Sequence, residues 1–185
     1  MLEQYLINHC APTLASLKTA NLFNCTAENP IALQTAIAGW QALLAPKGVE
    51  LLLLRESGNR ALVYVYRPDR LARDLQRPGV AAFLAHCGYT GTAPAACLDV
   101  LKRKLAVSSD FPHEIGLFLG YPLGDVIGFI ENHGQNCLCC GVWKVYTNPE
   151  AAAGAFRKFS KCTRVYRRLF FGRQRNVEQL TVKSA

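Results

Sequence analysis

Two apolar runs, Val49–Leu54 and Ala61–Tyr66, flank the polar segment Glu56-Ser-Gly-Asn59, and that arrangement predicts a β-hairpin. Side chains alternate across a strand, so the second run sets Leu62, Tyr64 and Tyr66 against Val63 and Val65 and brings two phenols into line on one face. Apart from Glu50 the first run is apolar, which predicts a central strand covered on both faces. Arg67-Pro-Asp69 ends the pair. Part of any sheet here is therefore antiparallel.

The other elements are placed around that hairpin. Residues 2–17 read as helical with a break or restart at Pro12, and residues 18–26 as a short strand. Asn29 and Pro30 suit the N-cap and first position of a helix carrying Ile31, Leu33, Ile37, Trp40, Leu43 and Leu44, which stops at Pro46-Lys-Gly48. Helices are expected at 69–76, 78–87 and 94–106, from Asp110 or Phe111 to Leu119, and at 123–132. Val142-Trp-Lys-Val-Tyr146 reads as a fourth strand returning from far along the chain. Asn148-Pro149-Glu150 then opens a helix over 149–171, with a short tail at 173–185. The expectation is an α+β fold: a small mixed or antiparallel sheet of about 3–4 strands with a central hairpin (49–54, 61–66), packed against about seven helices in a single domain, 1–185.

At 185 residues the chain is long enough for a real core, and with half its residues apolar and 18% charged it is not a disordered polymer. No apolar run approaches the ~18 residues of a membrane span. Glu3 is present and no Lys or Arg precedes Lys18, so the basic region of a signal peptide is lacking and a cytoplasmic location is expected. In that setting the eight cysteines read as reduced thiols rather than a disulfide framework. The net charge of +8 is uneven: residues 1–150 hold 12 Lys/Arg against 12 Asp/Glu, whereas residues 151–185 hold 9 against Glu178 alone.

Four groups of residues carry candidate chemistry. In Phe111-Pro-His-Glu-Ile-Gly-Leu-Phe-Leu-Gly-Tyr-Pro122, His113 and Glu114 stand at the start of an apolar turn, where free backbone N–H groups would attract an anion. His113 would serve as general base, metal ligand or hydrogen-bond partner; the alternative is a purely structural pair, Glu114 satisfying a cap and His113 a carbonyl. Cys10, beside His9 and just before Pro12, is a candidate nucleophile with His9 or His113 as base, or else an inert buried thiol. His133, Cys137, Cys139 and Cys140 form the densest soft-ligand cluster, with Cys137 and Cys140 at the spacing of a zinc or redox pair, although a second such pair is missing. In the C-terminal helix Ala152, Ala155, Phe156, Phe159, Cys162, Tyr166, Leu169 and Phe170 form an apolar stripe. Arg157, Lys158, Lys161, Arg164, Arg167 and Arg168 cover the rest, which is either a solvated face or a surface for nucleic acid or an acidic protein over 157–168. No Gly-rich phosphate loop, G-x-S-x-G elbow or H-E-x-x-H pair occurs.

His9-Cys-Ala-Pro-Thr-Leu14, Lys18-Thr-Ala-Asn-Leu-Phe23, Pro112–Pro122, Asp125-Val-Ile-Gly-Phe-Ile130 and Cys140-Gly-Val-Trp-Lys-Val-Tyr146 occur in this order. Together they resemble a bacterial family of about this length, found largely in anaerobic Gram-positive bacteria and catalogued as a domain of unknown function. The resemblance runs from Cys10 to about Leu180 and brings no assigned activity. The neighbourhood of its genes to iron-uptake and flavodoxin genes implies iron, haem or flavin handling. Haem would draw on His9, His113, Tyr64, Tyr66 or a Cys thiolate, and a flavin would stack on Tyr64, Tyr66 or Trp143.

Three functions follow as expectations. The first is a small-ligand or cofactor-binding protein (haem, flavin or a metal ion) with its pocket between the Tyr64/Tyr66 face and the His113–Glu114 turn, and with Lys18 and Arg67 as charge partners. The second is a thiol-dependent enzyme using Cys10 with His113. The third is an interaction protein working through Arg157, Lys161, Arg164 and Arg168.

Overall fold

The computed structural model describes residues 2–26, 29–107 and 111–184. Contacts group the chain into two compact units, Met1–Arg70 with Lys161–Ala185, and Leu71–Ser160.

The first unit is built on three antiparallel strands, β1 (Ala20–Thr26), β2 (Glu50–Ser57) and β3 (Arg60–Tyr66), in the order β1-β3-β2. The hairpin closes between Ser57 and Arg60 through Gly58, whose φ of 57° is easy for a residue without a Cβ. The central strand is β3, buried at every position after Arg60; the expected central strand, β2, is an edge strand. An apolar run cannot distinguish these places when helices cover an edge, and α2 (Pro30–Leu44) packs on β2. One sheet face carries Phe23, Cys25, Leu51, Ala61, Val63 and Val65 into a core completed by Leu2, Leu6, Ile7, Cys10 and Leu14 of α1 (Leu2–Leu14). Tyr64 and Tyr66 share the other face and stack at 4.8 Å, as their spacing predicts.

The N-cap at Asn29 forms as expected: its Oδ1 accepts from the N–H groups of Ile31 and Ala32, and Pro30 occupies the first helical position. Ile31 and Leu43, assigned to the buried side, are exposed, and the helix buries Ile37 and Leu44. Pro12 does not break α1. The helix runs through it to Leu14, and the Pro12 carbonyl accepts from Leu17 and Lys18.

The second unit holds α3 (Pro68–Leu75, whose first turn belongs to the first unit), α4 (Val80–His86), α5 (Pro94–Val107), α6 (Ile115–Phe118) and α7 (Leu123–Glu131), close to the expected spans. The helix expected from Asp110 or Phe111 begins only at Ile115; Asp110 itself lies outside the described residues. The expected fourth strand does not join the sheet. Only β5 (Lys144–Val145) is regular, and it pairs with β4 (Cys139–Cys140) in a separate two-stranded ribbon. The N–H groups of Tyr146 and Thr147, which would extend the strand, donate instead to Oδ1 of Asp125 at 2.8 and 2.9 Å.

The chain ends in α8 (Pro149–Phe171), capped by Asn148 Oδ1 accepting from Ala151 N–H, and α9 (Val177–Leu180), a single capped turn within the expected tail. Among the described residues seven helices exceed one turn, and α6 and α9 are single turns. Among those residues no helix is long and apolar enough to cross a membrane.

Candidate functional site

Three of the sequence blocks converge on one cavity of about 330 Å³ in the second unit. Its wall takes His113, Gly116 and Tyr121 from the first block, Asp125 and Phe129 from α7, and Cys140 to Lys144 from the β4–β5 ribbon. The volume falls in the range of about 300–1,000 Å³ common for small-molecule sites.

Aromatic rings shape the cavity. Tyr121 stacks on Trp143 at 4.9 Å, Trp143 meets the edge of Phe156 at 4.5 Å, and His113 stands edge-on to Phe129 at 5.0 Å. Burial pushes the Tyr121 phenol up to about 12, so it stays protonated and donates to the Val142 carbonyl at 3.3 Å. A Cβ at Gly141 would lie 2.3 Å from the Phe156 ring, so glycine lets the ribbon lie flat on that ring.

Asp125 holds the ribbon against α7. Only 3% exposed, it accepts four hydrogen bonds: from Trp143 Nε1 on Oδ2 at 2.7 Å, and from Tyr146 N–H, Thr147 N–H and Thr147 Oγ1 on Oδ1. Every donor it meets comes from the segment 143–147, so the position of Trp143 in the wall depends on this carboxylate. Lys144 crosses over Phe129 and donates one ammonium hydrogen to the Gly134 carbonyl at 2.6 Å.

Most of the expected site residues do not line this cavity. Glu114, 6% exposed, accepts from Tyr89 Oη at 3.2 Å and is ion-paired to Lys104. Burial and the Glu114 carboxylate raise the Tyr89 phenol and keep it a donor. Glu114 is thus a structural group. The α6 turn that follows it has four residues, too short for the expected dipole effect on an anion. His113 is exposed and reaches the cavity without it.

Cys10 is fully buried, and that burial raises its thiol far above the ordinary range despite the charge of Lys18. A nucleophile needs the opposite shift, and Cys10 and His113 belong to different units. Arg67, 1% exposed, uses all five N–H donors: Nε on Thr13 O, Nη1 on Lys47 O and Ser184 Oγ, and Nη2 on Leu14 O and Val182 O. It has no donor left for a ligand anion. Lys18 is 5% exposed with its ammonium on the Ala20 carbonyl, Tyr64 is fully buried, and Tyr66 Oη donates to Glu50 at 2.5 Å. None of these four lines the cavity. His9, a possible haem ligand, stacks near Tyr5 and Phe23 in the first unit.

Among the described residues no group of three or more His, Cys, Asp or Glu side chains is arranged to hold a metal ion, so His133, Cys137 and Cys140 do not form the expected centre. All eight cysteines are free thiols. On α8, Arg157, Lys158, Lys161, Arg164, Arg167 and Arg168 are all exposed, while Ala152 and Cys162 are buried.

Asp125, Tyr121, Phe129 and Lys144 were absent from the expected site. Asp125 had a usable signal, a lone carboxylate within the apolar run Leu123–Ile130, since such a group must find buried donors. No curated protein and no solved structure matches the chain. The family described as protein of unknown function (DUF3793) matches residues 6–181, and the chain belongs to that family.

Proposed function

We propose that the protein binds a small planar anion in the cavity of the second unit. The observation that carries this reading is the convergence of Tyr121, Phe129 and Trp143 with His113 and Lys144 around one cavity of about 330 Å³. Aromatic walls favour a flat π-system, and an ammonium and an imidazole at its edge favour a carboxylate or phosphate. The volume suits a single ring system or the head of a cofactor such as a flavin better than a whole porphyrin. This keeps the link to flavin handling and shifts the site from the Tyr64/Tyr66 face to the Trp143 wall.

The test uses protein purified without oxygen, examined first by native mass spectrometry and absorption. A Trp40→Phe background then isolates the emission of Trp143 for titration with flavin mononucleotide and, separately, protohaem. Saturable one-site quenching by the flavin is expected, weakened about tenfold in both His113→Ala and Lys144→Gln, equivalent to about 1.4 kcal/mol for a lost charge-assisted contact. Absence of a co-purifying mass and of quenching by either probe overturns the reading. So does flavin binding that both variants leave unchanged.

A second reading concerns α8. Arg157, Lys161, Arg164 and Arg168 are exposed at intervals of four, three and four residues, which sets them along one side of the helix. We propose this stripe as a docking surface for an acidic protein segment. Binding of a poly-glutamate peptide should fall steeply with added salt and be lost when the four are reversed to Glu. Retention by the reversed variant removes the stripe from consideration, and binding of duplex DNA instead of the peptide replaces the partner class.

A further inference from the structure

The cavity wall carries a thiol that the planar-anion reading does not use. Cys140 is exposed, whereas every other cysteine is buried or half-buried. It sits on β4 directly opposite Lys144 of β5, and such cross-strand partners place their Cβ atoms about 4.5–5.5 Å apart. Cys140, Lys144 and His113 all line the same cavity. Immediately after the thiol the chain is pinned: Gly141 lies flat on the Phe156 ring, and its N–H donates to the Trp143 carbonyl at 3.0 Å. Cys140 is thus held on a closed ribbon and shares the lining of one cavity with Lys144 and His113.

We infer that Cys140 is a thiol-exchange site for anionic low-molecular-weight disulfides of the glutathione disulfide class. The inference rests on the reading that the cavity admits a small anion. In the exchange the Cys140 thiol loses its proton to solvent and its sulfur attacks one sulfur of the disulfide. A Cys140–sulfur bond forms as the original S–S bond breaks. The departing thiolate leaves with the electron pair and takes up a proton. Cys140 is oxidised, half of the disulfide is reduced to a free thiol, and the disulfide itself is the oxidant. Lys144 and His113 would hold the carboxylates of the incoming molecule, which makes exchange selective for anionic disulfides over neutral ones.

The test incubates reduced full-length protein with glutathione disulfide at about pH 8, near the ordinary thiol range, and reads intact mass and peptide maps. One glutathionyl group per chain is expected, on Cys140, absent from Cys140→Ser and formed at the wild-type rate in Cys137→Ser and Cys139→Ser. Lys144→Gln should slow exchange with glutathione disulfide about tenfold and leave exchange with the uncharged bis(2-hydroxyethyl) disulfide within about twofold, the signature of electrostatic attraction. Labelling spread over several cysteines, labelling that persists in Cys140→Ser, or equal slowing of both disulfides by Lys144→Gln overturns the inference. Flavin titration of wild-type protein under dithiothreitol reports the cavity alone. Binding there without exchange at Cys140 sinks only this inference, whereas loss of both sinks the cavity reading as well.

Discussion

Replacing Arg67 with methionine is expected to lower stability by about 4 kcal/mol, the scale seen when one partner of a buried charged network is removed. For a chain of this size that corresponds to a fall in melting temperature of roughly 8–16 °C. The cause lies in what Arg67 satisfies. Thr13 and Leu14 close α1, and carbonyls at the end of a helix have no intrahelical donor. Arg67 Nε and Nη2 supply donors at 2.7 and 2.8 Å, with the guanidinium charge at the negative end of the helix dipole. The same group ties Lys47, Val182 and Ser184 to that point, so one side chain fastens α1, the turn after α2 and the C-terminal tail to the end of β3.

Lysine keeps the charge but offers three hydrogens from one nitrogen where arginine offers five from a planar fork, so Arg67→Lys should recover less than half of the loss. Exposed Arg60, replaced by methionine, should shift stability by under about 0.5 kcal/mol. Urea unfolding of the three variants decides the matter, with hydrogen exchange showing where protection is lost. A loss of under about 1 kcal/mol in Arg67→Met would mean that water replaces the guanidinium and that it holds nothing together.

The contrast between Arg67 as expected and as found shows where sequence reading stops. The hairpin was legible because its signals are local: two runs of period two and a Gly-Asn turn within 18 residues. The Asn29 and Asn148 caps were legible for the same reason. Arg67 follows a strand and looks like a surface cation, yet its partners lie 20 to 117 positions away. No local pattern records that Thr13, Leu14, Val182 and Ser184 meet at one point.

The site shows a similar division. His113 was legible as an unusual residue in a glycine-bounded turn, and it does reach a cavity. Glu114 was not, because its partners Tyr89 and Lys104 sit on other elements and convert an apparent catalytic group into a structural one. The C-x-x-C spacing of Cys137 and Cys140 suits a zinc or redox pair, but spacing fixes only what is near along the chain. The remaining ligands had to come from the fold, and among the described residues no group of three or more His, Cys, Asp or Glu is arranged to hold a metal ion. The Val-Trp-Lys-Val-Tyr run has strand composition, and Asp125 removes the N–H groups that a longer strand would need.

That role of Asp125 gives the second large expected effect. Asp125→Ala leaves the N–H groups of Tyr146 and Thr147, the Thr147 hydroxyl and the Trp143 indole without their acceptor, and should cost about 3 kcal/mol, because half-buried donors recover only part of their bonding from water. Asp125→Asn separates the two ends of the carboxylate. If its amide oxygen keeps the Tyr146 and Thr147 donors, its NH2 group faces the Trp143 N–H, donor against donor. The loss should then be about 2 kcal/mol and concentrated on the tryptophan. Measured in the Trp40→Phe background, Asp125→Asn is expected to shift Trp143 emission to longer wavelength and weaken flavin mononucleotide binding under conditions where the chain remains folded. Asp125→Ala should do both and lower the urea midpoint further. If Asp125→Asn leaves Trp143 emission and flavin affinity at wild-type values, the indole is held in the wall by Tyr121 and Phe156 alone and the carboxylate is a fastening for 146–147 only. A change in emission without a change in affinity would instead separate Trp143 from the binding surface.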